Sequence, residues 1–246
     1  MDIEPIPDLP ALMMKGHQDW VCVADLHIGI EVQLRAAGFN IPSQMPRMLA
    51  SLEGLASRAS RMLILGDIKH RIPSIGYRED KEIRHLLQAL LSRFDELVIA
   101  SGNHDGGLSS ILPAEVKAIA NHGGKIEDVG FFHGHVWPSK ESMASEKLVM
   151  AHIHPSILLV DSLGTKTNEK CWLKAKLRSK GVAEKYDACP KELVVVPAFN
   201  PLLTGTPINS KAGSYMGPLF RNNLVDENSL TAFLLDGTDL GHPLRR

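Results

Sequence analysis

The sequence predicts an α/β fold in which two sheets pack together, and three observations carry that reading. In the first half, short apolar runs alternate with helical stretches, as a parallel sheet with crossover helices requires. In the second half, short strands follow one another with few helices between them, punctuated by glycine and proline. No linker or internal repeat separates the halves. The 246-residue chain therefore reads as a single domain, 1–246, with a core at about residues 20–160 and a mainly β part over 161–246.

The elements follow in order. Residues 1–19 contain three prolines and read as an irregular or edge segment. Trp20 to Ala24 is the first clear strand. The stretch from about Ile30 to Ser60 is helical and broken by Pro42 and Pro46, with Ser43 as the N-cap of a second helix over about 44–58. Met62 to Leu65 is a buried strand, and Glu79 to Arg93 is a helix with Ile83, Leu86, Leu87, Leu90 and Leu91 on one stripe. Glu96 to Ala100 is the third strand, so three strand-then-helix units are expected in succession. Strands are then expected over 129–132, 147–150, 157–160, 172–177, 193–196 and 231–235.

Composition sets the outer limits. At 44% hydrophobic and 22% charged, the chain can bury a sizeable core. A net charge of -1 offers no global field for nucleic acid or an anionic membrane, so either would need a local patch. Cys22, Cys171 and Cys189 are odd in number and widely spaced, which argues against a disulfide framework. The first residues, with Asp2, Glu4 and the prolines, show no basic or apolar leader region, and no run is long enough to span a membrane. A cytoplasmic protein with no membrane partner is expected.

Chemistry concentrates where apolar runs end. Gly66-Asp67-Ile68-Lys69-His70 places a carboxylate at the carboxyl end of a strand, where open α/β sheets keep their sites. Asp25-Leu26-His27, Gly102-Asn103-His104-Asp105, His133-Gly134-His135 and Ala151-His152-Ile153-His154-Pro155 end other apolar runs. Residues two apart in an extended segment share a side, so Asp25 with His27, and His152 with His154, can face one point. Phosphate ester hydrolysis needs charge neutralisation, an activated water and a proton for the leaving oxygen. Two divalent cations roughly 3.5–4 Å apart serve the first two needs. Asp67 can bridge such a pair, with Asp25, His27 and His154 on one ion and Asn103, His133 and His152 on the other. The mixture of imidazole, carboxylate and amide, without thiolate, favours Mn²⁺, with Fe²⁺ or Zn²⁺ as alternatives.

The bland readings compete at several positions. A lone histidine is more often a surface or satisfied core residue, and Asp67 alone could be a helix cap. Either His133 or His135 could be the ligand; His133, straight off its strand, is preferred. His70 stands equally well as a site residue or as a surface residue at a helix start. Asn200, between Phe199 and Pro201, reads as a turn residue. From Lys166 to Glu192 there are eight Lys/Arg against four Asp/Glu. That stretch is a solvated hairpin face or a phosphate-binding strip, with Lys174 and Lys176 on one face of a strand as candidate substrate contacts.

The five ordered motifs together resemble the calcineurin-like metallophosphoesterases. The resemblance implies a four-layer α/β/β/α sandwich, two metals on the residues named, His104 as general acid or phosphate contact, and Asp105 orienting it. The phrases Ala24-Asp25-Leu26-His27-Ile28-Gly29, Gly66-Asp67-Ile68-Lys69-His70, Pro197-Ala198-Phe199-Asn200-Pro201 and Leu235-Asp236-Gly237 are similar to SbcD-related phosphoesterases of the nuclease branch. This implies a phosphodiesterase or nuclease on nucleic acid or nucleotides, with His70 in the site, single-stranded nucleic acid as a substrate, and a DNA repair helicase or ligase as partner. The alternatives are a small-molecule phosphomonoesterase and a non-catalytic metal-binding module. Ala151 stands where the family usually carries glycine.

Overall fold

The computed structural model describes residues 1–210 and 216–243. Six strands form the first sheet in chain order: β1 (Asp2–Pro5), β2 (Ala11–Lys15), β3 (Trp20–Val23), β4 (Arg61–Leu65), β5 (Glu96–Ala100) and β6 (Lys117–Ile119). From β3 to β6 all neighbours are parallel. The crossovers carry α1 (Ile30–Ala36) and α2 (Met45–Gly54) between β3 and β4, and α3 (Tyr77–Leu91) between β4 and β5.

The second sheet holds β7 (Gly124–Ile126), β8 (Val129–Phe132), β9 (Lys147–Met150), β10 (Pro155–Val160), β11 (Lys166–Leu177), β12 (Glu192–Val195) and β13 (Thr206–Pro207), in the order β13-β10-β11-β12-β9-β8-β7. Two further strands, β14 (Val225–Leu234) and β15 (Asp239–Gly241), join through β11. Three short helices, α4 (Lys140–Met143), α5 (Ser179–Ala183) and α6 (Pro218–Arg221), and two 3₁₀ turns, Leu55–Ser57 and Leu108–Ser110, complete the described elements.

Strand alternation sorts the apolar side chains into three cores. Leu63 and Leu65 of β4 and Val98 and Ala100 of β5 meet Phe131, Val149, Trp172 and Val194 of the other sheet. Met62, Ile64, Leu97 and Ile99 point the opposite way, onto Leu52, Ile83, Leu86, Leu87 and Leu90 of the helices. Leu148, Met150, Leu193 and Val195 cover the far face of the second sheet, against Val182, Leu219 and Phe220. This is the four-layer α/β/β/α arrangement. Strands buried on both faces read as unbroken apolar runs, which makes them visible in the sequence.

Two expectations need correction, and a third, left open between an irregular and an edge segment, resolves to the edge. The segment before residue 20 is a regular antiparallel hairpin, β1 with β2, at the sheet edge. Its prolines fall at or beyond the strand ends, so they leave the pairing intact. The third strand is followed by a short 3₁₀ turn, Leu108–Ser110, and β6, not by an α-helix. The last long strand starts at Val225, six residues before the expected Thr231. Helix α2 begins at Met45, and Ser43 Oγ accepts the Met45 N–H at 3.3 Å.

Candidate metal centre

The parallel strands β3, β4 and β5 end side by side, so their following loops meet at one edge of the sandwich. The loops after β8 and β9 meet them from the second sheet, since β9 runs parallel to β8. Gly66 and Gly102 permit the closeness. A Cβ on Gly66 would collide with His133 Nδ1, and one on Gly102 with Asp67 Oδ1.

Two clusters result. Asp25, His27 and His154 form one; Asp67, His133 and His152 form the other. The shortest contacts cross between carboxylates and imidazoles: His154 Nε2 to Asp25 Oδ1 at 3.2 Å, His133 Nε2 to Asp67 Oδ2 at 3.3 Å, and His27 Nε2 to Asp67 Oδ2 at 3.4 Å. Asp67 thus faces an imidazole from each cluster. Asp25 and His133 are fully buried, and Asp67 and His27 nearly so.

Hydrogen bonds on the far ring nitrogens set the tautomers. His133 Nδ1–H donates to the Leu65 carbonyl at 2.8 Å, leaving Nε2 as a lone pair toward Asp67. His70 Nε2–H donates to Gln33 Oε1. His70 Nδ1 is therefore an acceptor, and His27 Nδ1–H donates to it at 3.2 Å. That turns the His27 Nε2 lone pair toward Asp67 as well. Lone pairs facing carboxylate oxygens at such distances repel unless a cation or a proton lies between them. Asp25 Oδ1 and the Nε2 atoms of His27, His133 and His154 are buried with no hydrogen-bond partner. Orphaned ligand atoms of this kind, converging in two groups, fit divalent ions.

The electrostatics agree. Burial pulls the His133 imidazole down, but the carboxylates of Asp67 and Asp25 that face it outweigh this and push it up to about 9. His154 is likewise raised, with the Asp25 charge overcoming burial. Burial raises both carboxylates, yet the histidines beside them hold Asp67 and Asp25 well below the ordinary range. Burial and cationic neighbours lower His70, His135 and His152 to about 4.

Backbone strain marks the same residues. Asp25, His27, Asp67, His152 and His154 have φ of 56°, 41°, 52°, 72° and 43°. These left-handed values cost L-residues on the order of 1 kcal/mol each and persist only where surroundings over-determine them. Ala151 is absent from that group and is buried between the sheets.

The remaining candidates divide. His104 joins His27 and His70 in a third cluster; its Nδ1–H donates to the His70 carbonyl at 2.6 Å and its backbone N–H to Asp67 Oδ1 at 2.8 Å. Asn103 precedes it, exposed on the same turn. His135 borders the second cluster, with ring centroids 5.4 Å from His133 and 5.9 Å from His152. Asp105 is a correction. Its buried carboxylate accepts the N–H groups of Asp67, Ile68 and Gly102 at 2.8–2.9 Å, so it braces the loops and does not orient the His104 ring, which the His70 carbonyl holds.

Lys174 and Lys176 lie on β11, one strand beyond β12. Lys174 pairs with Val194, which pairs with Val149 of β9, and it lies 3.7 Å from Glu192. Because β11 runs antiparallel to β12, each residue after Lys170 is farther from the clusters. Lys170 itself sits opposite Ser156, just beyond His154. Burial lowers Lys170 to about 8, against the upward pull of Asp25.

Sequence reasoning missed three supports. Glu79 Oε1 accepts the N–H groups of His70 and Arg71, each at 3.0 Å, fixing the start of α3 beside the site. Asn200 is fully buried and reaches the Asp25–His27 loop, and Lys170 holds Asn200. Only the Pro-flanked Phe199-Asn200 pair hinted at the second.

Comparison with known proteins agrees with this geometry. The calcineurin-like phosphoesterase family profile matches residues 21–234. No curated protein sequence matches significantly. Among solved structures, the Pseudomonas putida nuclease MPE aligns over 96% of this chain and 98% of its own, at 17% identity and a TM-score of 0.56. Yfce, a phosphoesterase from E. coli, aligns over 90% and 96%, at 18% identity and a TM-score of 0.41. A match over most of the chain, on a fold that assembles these clusters, makes this protein a member of the calcineurin-like phosphoesterase family.

Proposed function

We propose that the chain is a two-metal phosphodiesterase of the nuclease branch, acting on nucleic acid or nucleotides. The carrying observation is the pair of clusters, with Asp67 of one facing His27 of the other and unpartnered imidazole nitrogens turned onto buried carboxylates. Asp25, His27 and His154 would hold one ion; His133, His152 and Asn103 the other; Asp67 both. When bound, the ions neutralise the phosphate oxygens and acidify water.

The protein's own groups do the rest. His104 Nδ1–H is committed to the His70 carbonyl, so Nε2 is the nitrogen that takes up a proton and gives it to the leaving oxygen. Asp105 and Glu79 keep the Asp67–His70 loop in register without touching substrate. The Gly66-Asp67-x-x-His70 spacing and the full-length likeness to a nuclease support the diester reading over the monoester one. The proposed setting is DNA repair, beside a helicase or ligase partner. Mn²⁺ is the proposed ion, and the cytoplasm the proposed location. Among the described residues, no helix is long and apolar enough to cross a membrane.

The test is a substrate panel with Mn²⁺: bis-p-nitrophenyl phosphate, p-nitrophenyl phosphate, single-stranded DNA and 2′,3′-cyclic nucleotides. Diester turnover well above monoester turnover, with DNA cleavage, is expected. Strong monoester turnover without diester activity would overturn the nuclease reading.

A further inference from the structure

The Asp25–His27 segment carries two ligand candidates in left-handed conformations, so something must hold its backbone. Its amides are held by the neighbouring loop: Asp25 N–H to the Gly66 carbonyl at 3.1 Å, and His27 N–H to the Asp67 carbonyl at 2.8 Å. Its carbonyls are held from far along the chain. Phe199 N–H donates to Ala24 at 2.8 Å and Asn200 N–H to Asp25 at 3.3 Å. Asn200 Nδ2 donates to Leu26 at 2.7 Å and to His27 at 3.4 Å.

Asn200 is in turn held. Its Oδ1 accepts the Leu202 N–H at 2.9 Å. Lys170 Nζ donates to the carbonyls of Ala198 and Asn200, both at 2.6 Å. An ammonium, with three donors and no acceptor, can gather two carbonyls that point the same way. An amide is needed at 200, since its side chain must donate to one loop while accepting from another. Neither side chain belongs to either cluster, and Lys170 lines a cavity of about 710 Å³ with Arg47, Asn168 and Phe199.

We infer that Lys170 and Asn200 are positioning residues that hold the Asp25-Leu26-His27 backbone in the conformation that lets the Asp25–His27–His154 cluster take its ion. This rests on the two-metal reading above. It predicts an unequal effect: the cluster built on Asp67, His133 and His152 has its own backbone supports and should be spared.

The experiment is Mn²⁺ binding to metal-stripped protein, by calorimetry and by equilibrium dialysis with elemental analysis. Wild type should bind two ions. Lys170→Met, which keeps the apolar stem, and Asn200→Asp, which keeps the shape but loses the donors, should weaken one binding step by about 10–100-fold, the range for groups that orient ligands, and leave the other unchanged. Lys170→Arg, which keeps the charge and donors, should recover most of the loss. Two unchanged steps in folded Lys170→Met would overturn the inference, as would equal weakening of both steps. If wild type itself bound no Mn²⁺, the two-metal reading would fall, and this inference with it.

Discussion

The first sheet supplies both buried carboxylates, Asp25 and Asp67, on loops braced by Asp105, Glu79 and Asn200. The second supplies the three imidazoles His133, His152 and His154, on loops with fewer polar braces; the His152 N–H reaches Asp25 Oδ2 only at 3.4 Å. Every close ion pair of the site except His27–Asp67 spans the gap between the sheets. The acids thus sit on loops braced by buried side chains, while the imidazoles face them across the gap, His133 also anchored by the Leu65 carbonyl. A metal pair would join two preformed halves rather than order a floppy one.

The largest expected effect follows from Asp67, which faces both clusters. Asp67→Asn should lose both ions, and turnover should fall by more than about 10³-fold, beyond the cost of one preorganised electrostatic group. Elemental analysis of wild type and variant checks this. Two ions retained in the variant would break the bridging role.

His104 separates chemistry from metal binding. His104→Ala should keep the metal content and lose about 10²–10⁴-fold in turnover, the usual contribution of general acid catalysis. Metal loss in step with activity would make His104 a ligand.

Acidity sharpens the contrast between the sheets. In metal-free protein, His133 titrates near 9, above the ordinary 6.5, and His154 is also raised. A raised folded pKa stabilises fully below the unfolded value and loses that contribution as pH climbs through the folded one. Thermal unfolding of metal-stripped protein should therefore show stability declining from about pH 6.5 toward 8, above which Lys170, lowered to about 8, contributes the opposite slope, while Mn²⁺ affinity rises as the protons leave. A metal-free stability that is flat across that range would contradict the cross-sheet pairs.

The smallest effect belongs to Lys174→Ala/Lys176→Ala. With Lys174 held near Glu192 and both lysines beyond Lys170 along β11, DNA cleavage should be normal. The salt slope of binding should change by much less than the roughly 0.7 that neutralising one phosphate on a single strand contributes. A full unit of change would return these lysines to the substrate path.

The uneven legibility of the chain has a physical cause. Strands β3, β4, β5, β8 and β9 are readable because burial on both faces leaves an unbroken apolar run. The polar residue ending each run then stands out, which brings Asp25, Asp67, His133, His152 and His154 into view. The hairpin before residue 20 is hidden by prolines that its edge position tolerates. Strand direction has no local signal; Lys174 and Lys176 fall on one face as expected, but farther along β11 than Lys170. Asn200 and Lys170 act on backbone carbonyls at a distance, and such contacts leave no spacing pattern. The left-handed φ values are invisible too, because they fall on Asp and His rather than on glycine.

The most direct test of the central claim is anomalous diffraction from crystals grown with Mn²⁺. The account predicts two peaks flanking the Asp67 carboxylate, one shared with Asp25, His27 and His154, the other with His133 and His152. A single peak away from Asp67, or none in fully folded protein, would contradict it.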